Sequence, residues 1–138
     1  MKKEWAPQLL SVLRIVVAFL YFQVGSAKWF AFPAAIMPGG GTAPVGSLVW
    51  FAGIIEVIGG TFLLLGLFTR PVAFILSGEM AFAYFIGHFP NGFWPVLNQG
   101  APAVFYCFTF LYFSAAGAGP WSLDALLARR RNSAIPVS

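Results

Sequence analysis

Four ionisable side chains that could do chemistry lie within or at the ends of long apolar segments: Arg14, Lys28, Glu56 and Glu79. A buried cation can stabilise an anionic oxygen, and a buried carboxylate can accept a proton. The two bases and two acids could also pair with each other and only fix the register of the elements that carry them. The residue types therefore leave a structural and a functional interpretation open, the functional one being a polar cavity or a proton path.

Helical spacing predicts that most of these groups point inward. The first segment carries one polar or small stripe at steps of four and three residues: Arg14, Ala18, Tyr21, Gly25 and Lys28. Small residues share a face with Glu56, where they would let a neighbouring helix approach closely: Ala52, Gly53, Gly59 and Gly60. Similar depth predicts a pair between Arg14 and Glu79. Either base could reach Glu56, and Lys28 could instead extend to the outer surface.

A second group of polar side chains follows the third apolar segment. His88 could form a pocket mouth with Asn91, Asn98 and Gln99. A single histidine without cysteine or carboxylate neighbours is a poor metal site, and a solvated interfacial histidine is the simpler interpretation. We therefore expect no metal, and the sequence assigns no catalytic residue. The candidate ligand-binding residues are Arg14, Tyr21, Lys28, Glu56, Glu79, His88 and Asn98.

The amino-acid composition indicates the environment that surrounds these residues. The chain has 138 residues, of which 59% are hydrophobic and 9% are charged. Soluble domains carry roughly 25% charged residues, so this composition excludes an ordinary soluble enzyme and a disordered chain. The net charge of +4 does not indicate nucleic acid, because the basic residues lie at the termini and beside apolar runs. The composition indicates an integral membrane protein.

Four apolar segments fit an all-α bundle of four transmembrane helices in a single domain over residues 1–138. The predicted spans cover about 9–30, 46–68, 72–89 and 103–118, and glycine- and proline-containing turns separate them. Helices are expected because lipid demands internal backbone hydrogen bonds. Residues 121–138 are predicted to form a cytoplasmic tail that begins with a short interfacial helix. In that helix Asp124 lies in the first turn and Trp121 lies at headgroup level.

The positive charges predict the orientation of these spans. With four spans, six basic residues fall on one side: Lys2, Lys3, Arg70, Arg129, Arg130 and Arg131. The opposite loops, residues 31–45 and 90–100, carry no charged residue. We therefore expect a protein of the cell (inner) membrane with both termini in the cytoplasm.

The start of the chain also has features of a secretory signal, with Lys2 and Lys3 before an apolar stretch. Residues 25–27, Gly-Ser-Ala, would be its cleavage site. Arg14 interrupts the apolar stretch, however, and the segment continues to spanning length. We expect this segment to be retained as the first span.

Several motifs together resemble the DoxX family of small four-helix membrane proteins. In order they are Arg14, Gly25–Lys28, Glu56–Gly60, Gly66–Arg70, Leu97–Gly100, Phe105–Phe108 and Gly117–Asp124. The resemblance implies a four-helix bundle without a bound metal. It also implies a link to membrane redox complexes, because a related branch is the membrane subunit of a thiosulfate:quinone oxidoreductase. Ala101 stands where many relatives carry a glutamate, so an activity that needs this carboxylate is in doubt here.

These features favour a non-catalytic or auxiliary subunit of a quinone-linked oxidoreductase that binds a quinone-like or lipid ligand. No electron carrier is encoded in the chain, so electrons would come from a soluble or membrane-bound partner oxidoreductase. A small solute or proton transporter or channel is an alternative, as is a scaffold for a soluble enzyme. Contact with membrane lipid is expected, nucleic acid is not, and a homo-oligomer is compatible with the sequence.

Overall fold

A computed structural model describes residues 4–133, and within that range the helices are joined by loops and turns, without strands. The five α-helices are α1 (Ala6–Phe30), α2 (Leu48–Leu65), α3 (Thr69–Ala83), α4 (Ala101–Ala116) and α5 (Leu123–Ser133). A π-helical turn, Tyr84–His88, and a 3₁₀ turn, Phe89–Asn91, extend α3. The all-α prediction is confirmed. The predicted tail residues 134–138, together with Lys2 and Lys3, lie outside the described residues.

Three helical segments have the length and apolar composition needed to cross a membrane: Ala6–Phe30, Leu48–Leu65 and Thr69–Asn91. They correspond to the first three predicted spans. Helix α4 is also apolar but has only 16 residues, so a fourth span stays a prediction. Helix α5 is present where an interfacial helix was predicted, and its location at the membrane surface stays a prediction as well.

The helices pack in sequence order, α1 against α2, α2 against α3 and α3 against α4. Large side chains from all four helices meet in one buried core, including Tyr21, Leu63, Leu76, Phe110 and Phe113. The rings of Tyr21 and Phe110 lie edge to face with centroids 4.8 Å apart, which brings α4 against α1. Many large apolar side chains on the outer faces are exposed, as expected of surfaces that contact lipid.

Glycines allow the close contacts around α2. A Cβ at Gly25 of α1 would lie 2.6 Å from the Cβ of Glu56, and one at Gly53 would lie 2.6 Å from the Trp29 ring. Two further glycines of α2 are also tightly packed, Gly60 against α1 and Gly59 against α3. The predicted role of small residues at the helix contacts is therefore confirmed for these positions.

Candidate functional site

A buried ion pair connects α1 and α2. The ammonium of Lys28 lies 2.6 Å from Oε1 of Glu56. The Lys28 side chain is 16% exposed, whereas that of Glu56 is only 1% exposed. The second carboxylate oxygen, Oε2 of Glu56, is buried without a hydrogen-bond partner among the described residues. The pair thus combines a cation that reaches the protein surface with an acceptor that still lacks a partner.

A second carboxylate lies beside this pair. The hydroxyl of Tyr21 donates to Oε2 of Glu79 at 2.5 Å. Glu79 and Glu56 are close enough to interact electrostatically, and the Tyr106 ring centroid lies 5.4 Å from that of Tyr21. We call these five residues the interior cluster: Tyr21, Lys28, Glu56, Glu79 and Tyr106. Four of its members are candidate site residues from the sequence, and the structure brings them together.

The predicted pair between Arg14 and Glu79 is wrong. Arg14 is fully buried, and among the described residues the hydrogen-bond acceptors of its guanidinium are all backbone carbonyl oxygens. These belong to Leu63, Leu64 (2.7 Å), Ala118 (2.9 Å) and Trp121 (2.6 Å). The last carbonyls of a helix have no partner within it, and a cation there also suits the helix dipole. Arg14 therefore closes the end of α2 and fixes the segment before α5.

The same end of the bundle holds two further charged caps. Both carboxylate oxygens of Asp124 accept backbone N–H groups at the start of α3, from Phe68 at 2.8 Å and Thr69 at 2.9 Å. Arg70 donates to the Ala115 carbonyl near the end of α4. The sequence placed Asp124 in the first turn of the C-terminal helix, where it lies, but did not indicate that it also caps α3.

His88 and Asn98 lie together at the opposite end of the bundle. The Nδ1 atom of His88 is 3.0 Å from the Asn98 carbonyl oxygen. The Asn98 side chain donates to the Gly92 carbonyl at 2.7 Å and accepts from the Gly100 N–H at 2.8 Å. These bonds order the loop before α4, and a ligand-binding role for either residue stays a prediction. Within residues 4–133 no group of three or more His, Cys, Asp or Glu side chains could hold a metal ion.

An aromatic pair beside the interior cluster was not among the predicted site residues. The Trp29 and Trp50 rings stack with centroids 5.2 Å apart, and the Trp29 indole donates to the Trp50 carbonyl at 2.9 Å. Tyr106, which belongs to the cluster, was not among the predicted site residues either. Trp29 directly follows Lys28 at the end of a predicted span, where tryptophans are common, so its position could have identified it as a candidate site residue.

Three surface pockets lie outside the interior cluster. One of about 410 Å³ lies beside the Asp124 cap, and one of about 440 Å³ lies between α1 and α4. The third, of about 260 Å³, is an apolar groove between α2 and α3 that includes Ile58 and Ile75. No residue of the interior cluster lines any of these three pockets.

The apolar helices of spanning length, the lipid-suited outer faces and the buried charges define a helical membrane protein. The family model described as DoxX matches residues 9–89, more than half of the chain. The chain belongs to the DoxX family.

Two relatives extend this similarity over most of the chain. An uncharacterized protein of Haemophilus influenzae is 46% identical over 125 residues, which cover 88% of this chain and 92% of the relative. An uncharacterized membrane protein of Mycobacterium tuberculosis is 28% identical over 140 aligned residues, covering 90% of this chain and 84% of the relative. No solved structure matches the chain.

Proposed function

We propose that this protein is an auxiliary subunit of a membrane redox system and binds a quinone-like ligand at the interior cluster. The Lys28–Glu56 pair is the observation that carries the proposal. It offers a partly exposed cation and, within 2.6 Å of it, a buried carboxylate with one free oxygen. In this proposal the protein lies in the inner membrane with four spans and both termini in the cytoplasm.

The two side chains would recognise the two oxygen forms of a quinone. An ammonium has three donors, and among the described residues Lys28 uses one of them, to Glu56. A remaining donor can bind a carbonyl oxygen or stabilise the anionic oxygen of a reduced ring. The free Oε2 of Glu56 can accept a hydrogen bond from a ring hydroxyl and take up its proton.

The surroundings of the pair suit an aromatic ring with an apolar tail. Trp29 and Trp50 stack beside Lys28, and a flat ring could extend that stack. The apolar groove between α2 and α3 could accommodate part of a hydrocarbon chain. A lipid headgroup would use the same donors but has no aromatic ring to stack, so the tryptophans favour the quinone.

The partner in this proposal is an oxidoreductase that supplies the electrons. The chain contains a single cysteine, Cys107, and therefore no dithiol pair of its own. The interior cluster can bind, orient and exchange protons but holds no redox-active side-chain pair. The absence of the family glutamate at Ala101 also fits a binding subunit better than a catalytic one.

Binding of a short-chain ubiquinone analogue to the protein in lipid nanodiscs tests this proposal. Tryptophan fluorescence would report binding, because Trp29 and Trp50 lie beside the site. We expect Lys28→Met and Glu56→Gln each to weaken binding about tenfold or more, since one hydrogen bond to a charged group contributes about 1.5–3 kcal/mol. Arg130→Met, which removes an exposed cation outside the cluster, is the matched control and should bind normally.

Equal affinity in all four proteins would contradict the proposal. Loss of folded Glu56→Gln protein, with unchanged affinity in the Lys28→Met variant, would instead mean that the ion pair serves only to hold α1 and α2 together. A phospholipid that competes with the analogue and binds more tightly would identify a lipid site.

A further inference from the structure

The charges of the interior cluster do not balance. It contains two carboxylates, Glu56 and Glu79, but only one base, Lys28. The other buried cation, Arg14, lies two turns before Tyr21 on α1, about 10 Å along the helix axis. Its donors are occupied by backbone carbonyls, and the acidic group that acts on it is Asp124. With both carboxylates ionised, the cluster would carry one uncompensated negative charge.

Such a charge is costly in the interior of a membrane helix bundle. Insertion scales disfavour a charged side chain at the centre of a span. Glu56 lies within electrostatic range of Glu79, and the repulsion between two nearby carboxylates disfavours ionising both. Tyr21 and Tyr106, which face the cluster from α1 and α4, are neutral hydroxyls and cannot supply the missing positive charge.

An unpartnered oxygen marks where the compensating charge can bind. Oε2 of Glu56 is buried, and the whole side chain is 99% inaccessible, yet this atom has no hydrogen-bond partner among the described residues. A buried acceptor without a partner is destabilising. A proton or other cation bound at this oxygen would give it a partner and would also neutralise the cluster.

We propose that the interior cluster is a proton-binding site in which Glu56 and Glu79 share one exchangeable proton. Lys28 compensates the remaining negative charge, so the loaded cluster is neutral. The number of protons that the cluster binds follows from its charges. Two carboxylates and one ammonium carry a net charge of −1, so one bound proton makes the cluster neutral. This inference rests on the side chains of the cluster alone and does not depend on binding of a quinone.

Infrared spectroscopy of the protein in lipid nanodiscs at neutral pH can count this proton. The C=O stretch of a protonated carboxyl is separate from the carboxylate bands and shifts in D₂O if the proton exchanges. We expect one such group in the unmodified protein and none in Glu56→Gln or Glu79→Gln, because Lys28 then balances the single remaining carboxylate. Lys28→Met should raise the count to two, since neither carboxylate keeps a counterion.

The exposed Glu4 provides the matched control, and Glu4→Gln should leave the count at one. A signal that persists in both single glutamine variants would place the proton elsewhere and overturn the proposal. So would its absence from the unmodified protein in both sodium and choline buffers. A signal present in choline but lost in sodium would show that the site prefers Na⁺ to a proton. If Lys28→Met does not fold, the two glutamine variants still decide.

Discussion

Arg14 illustrates why the type of a buried residue does not define its role. By position and charge it resembles Lys28, since both lie on the inward stripe of α1. In the structure Lys28 pairs with a carboxylate, whereas Arg14 binds four backbone carbonyls at a helix end. A planar guanidinium with five donors can serve several acceptors at once, which an ammonium on a flexible stem does less well. These contacts give Arg14 a structural role at this helix end, and a ligand-binding role for it stays a prediction.

Replacing Arg14 should therefore affect stability rather than ligand binding. We expect Arg14→Met to destabilise the fold by about 3 kcal/mol or more, because several buried carbonyl groups lose their only side-chain donor. Thermal unfolding in detergent and the yield of monodisperse protein would measure this loss, with Arg129→Met as the exposed control. Normal stability combined with lost quinone binding would return Arg14 to the ligand site.

For single residues, the sequence predicts four members of the interior cluster but not all of their contacts. Tyr21, Lys28 and Glu56 follow from spacing on two helical faces, because a step of three or four residues keeps side chains on one side. Glu79 was less well marked by its neighbours, and depth alone paired it with the wrong base. The backbone acceptors of Arg14 carry no signal in residue types, since every residue has a carbonyl group. These acceptors can be identified only from the three-dimensional positions of the helix ends relative to Arg14.

Among the secondary structure elements, the contact between helices α1 and α2 positions the interior cluster. Gly25 lies directly against Glu56, so the close approach of α1 and α2 also sets the position of that carboxylate. The face of small residues on α2 was predicted from the sequence, and the structure confirms it at Gly53, Gly59 and Gly60. The Asp124 cap was not predicted, because it joins two helices that are far apart in sequence, α5 and α3.

The Gly25 contact can be tested with a matched pair of glycines. Gly25→Ala would bring a Cβ to 2.6 Å from that of Glu56 and 2.9 Å from the Val57 nitrogen, which is closer than real contacts allow. We expect a loss of about 1–3 kcal/mol from overpacking, together with weaker quinone binding. Gly78→Ala adds a Cβ in open space on α3 and should be neutral or stabilising by up to about 1 kcal/mol.

Unfolding midpoints and binding of the analogue to both variants would measure these effects. A Gly25→Ala protein as stable as the Gly78→Ala protein would contradict the close packing of α1 on α2.

At the scale of the whole molecule, the composition indicates the class of protein and the positive charges predict its orientation. The sequence predicts helices in lipid, and three segments have the required length. The fourth span stays a prediction, because α4 has 16 residues where a span normally needs about 20. Local thinning of the bilayer would allow a helix of this length to cross.

Labelling of single cysteines in intact cells tests the proposed four-span orientation. In a Cys107→Ser background, Asn91→Cys should react with a membrane-impermeant maleimide added outside. Arg130→Cys should react only after the inner membrane is permeabilised, because four spans and the positive charges place it in the cytoplasm. Labelling of both positions from the same side would mean an even number of spans between them, and would exclude α4 as the single span that separates them.

Native mass spectrometry can show whether the interior cluster binds a quinone-like ligand. The protein would be extracted mildly from its own membrane, beside the Lys28→Met variant at equal folded yield. We expect a quinone mass on the unmodified protein, alone or with a co-purifying oxidoreductase, and its loss from the variant. A protein that carries only phospholipid, or a variant that retains the quinone, would contradict this expectation.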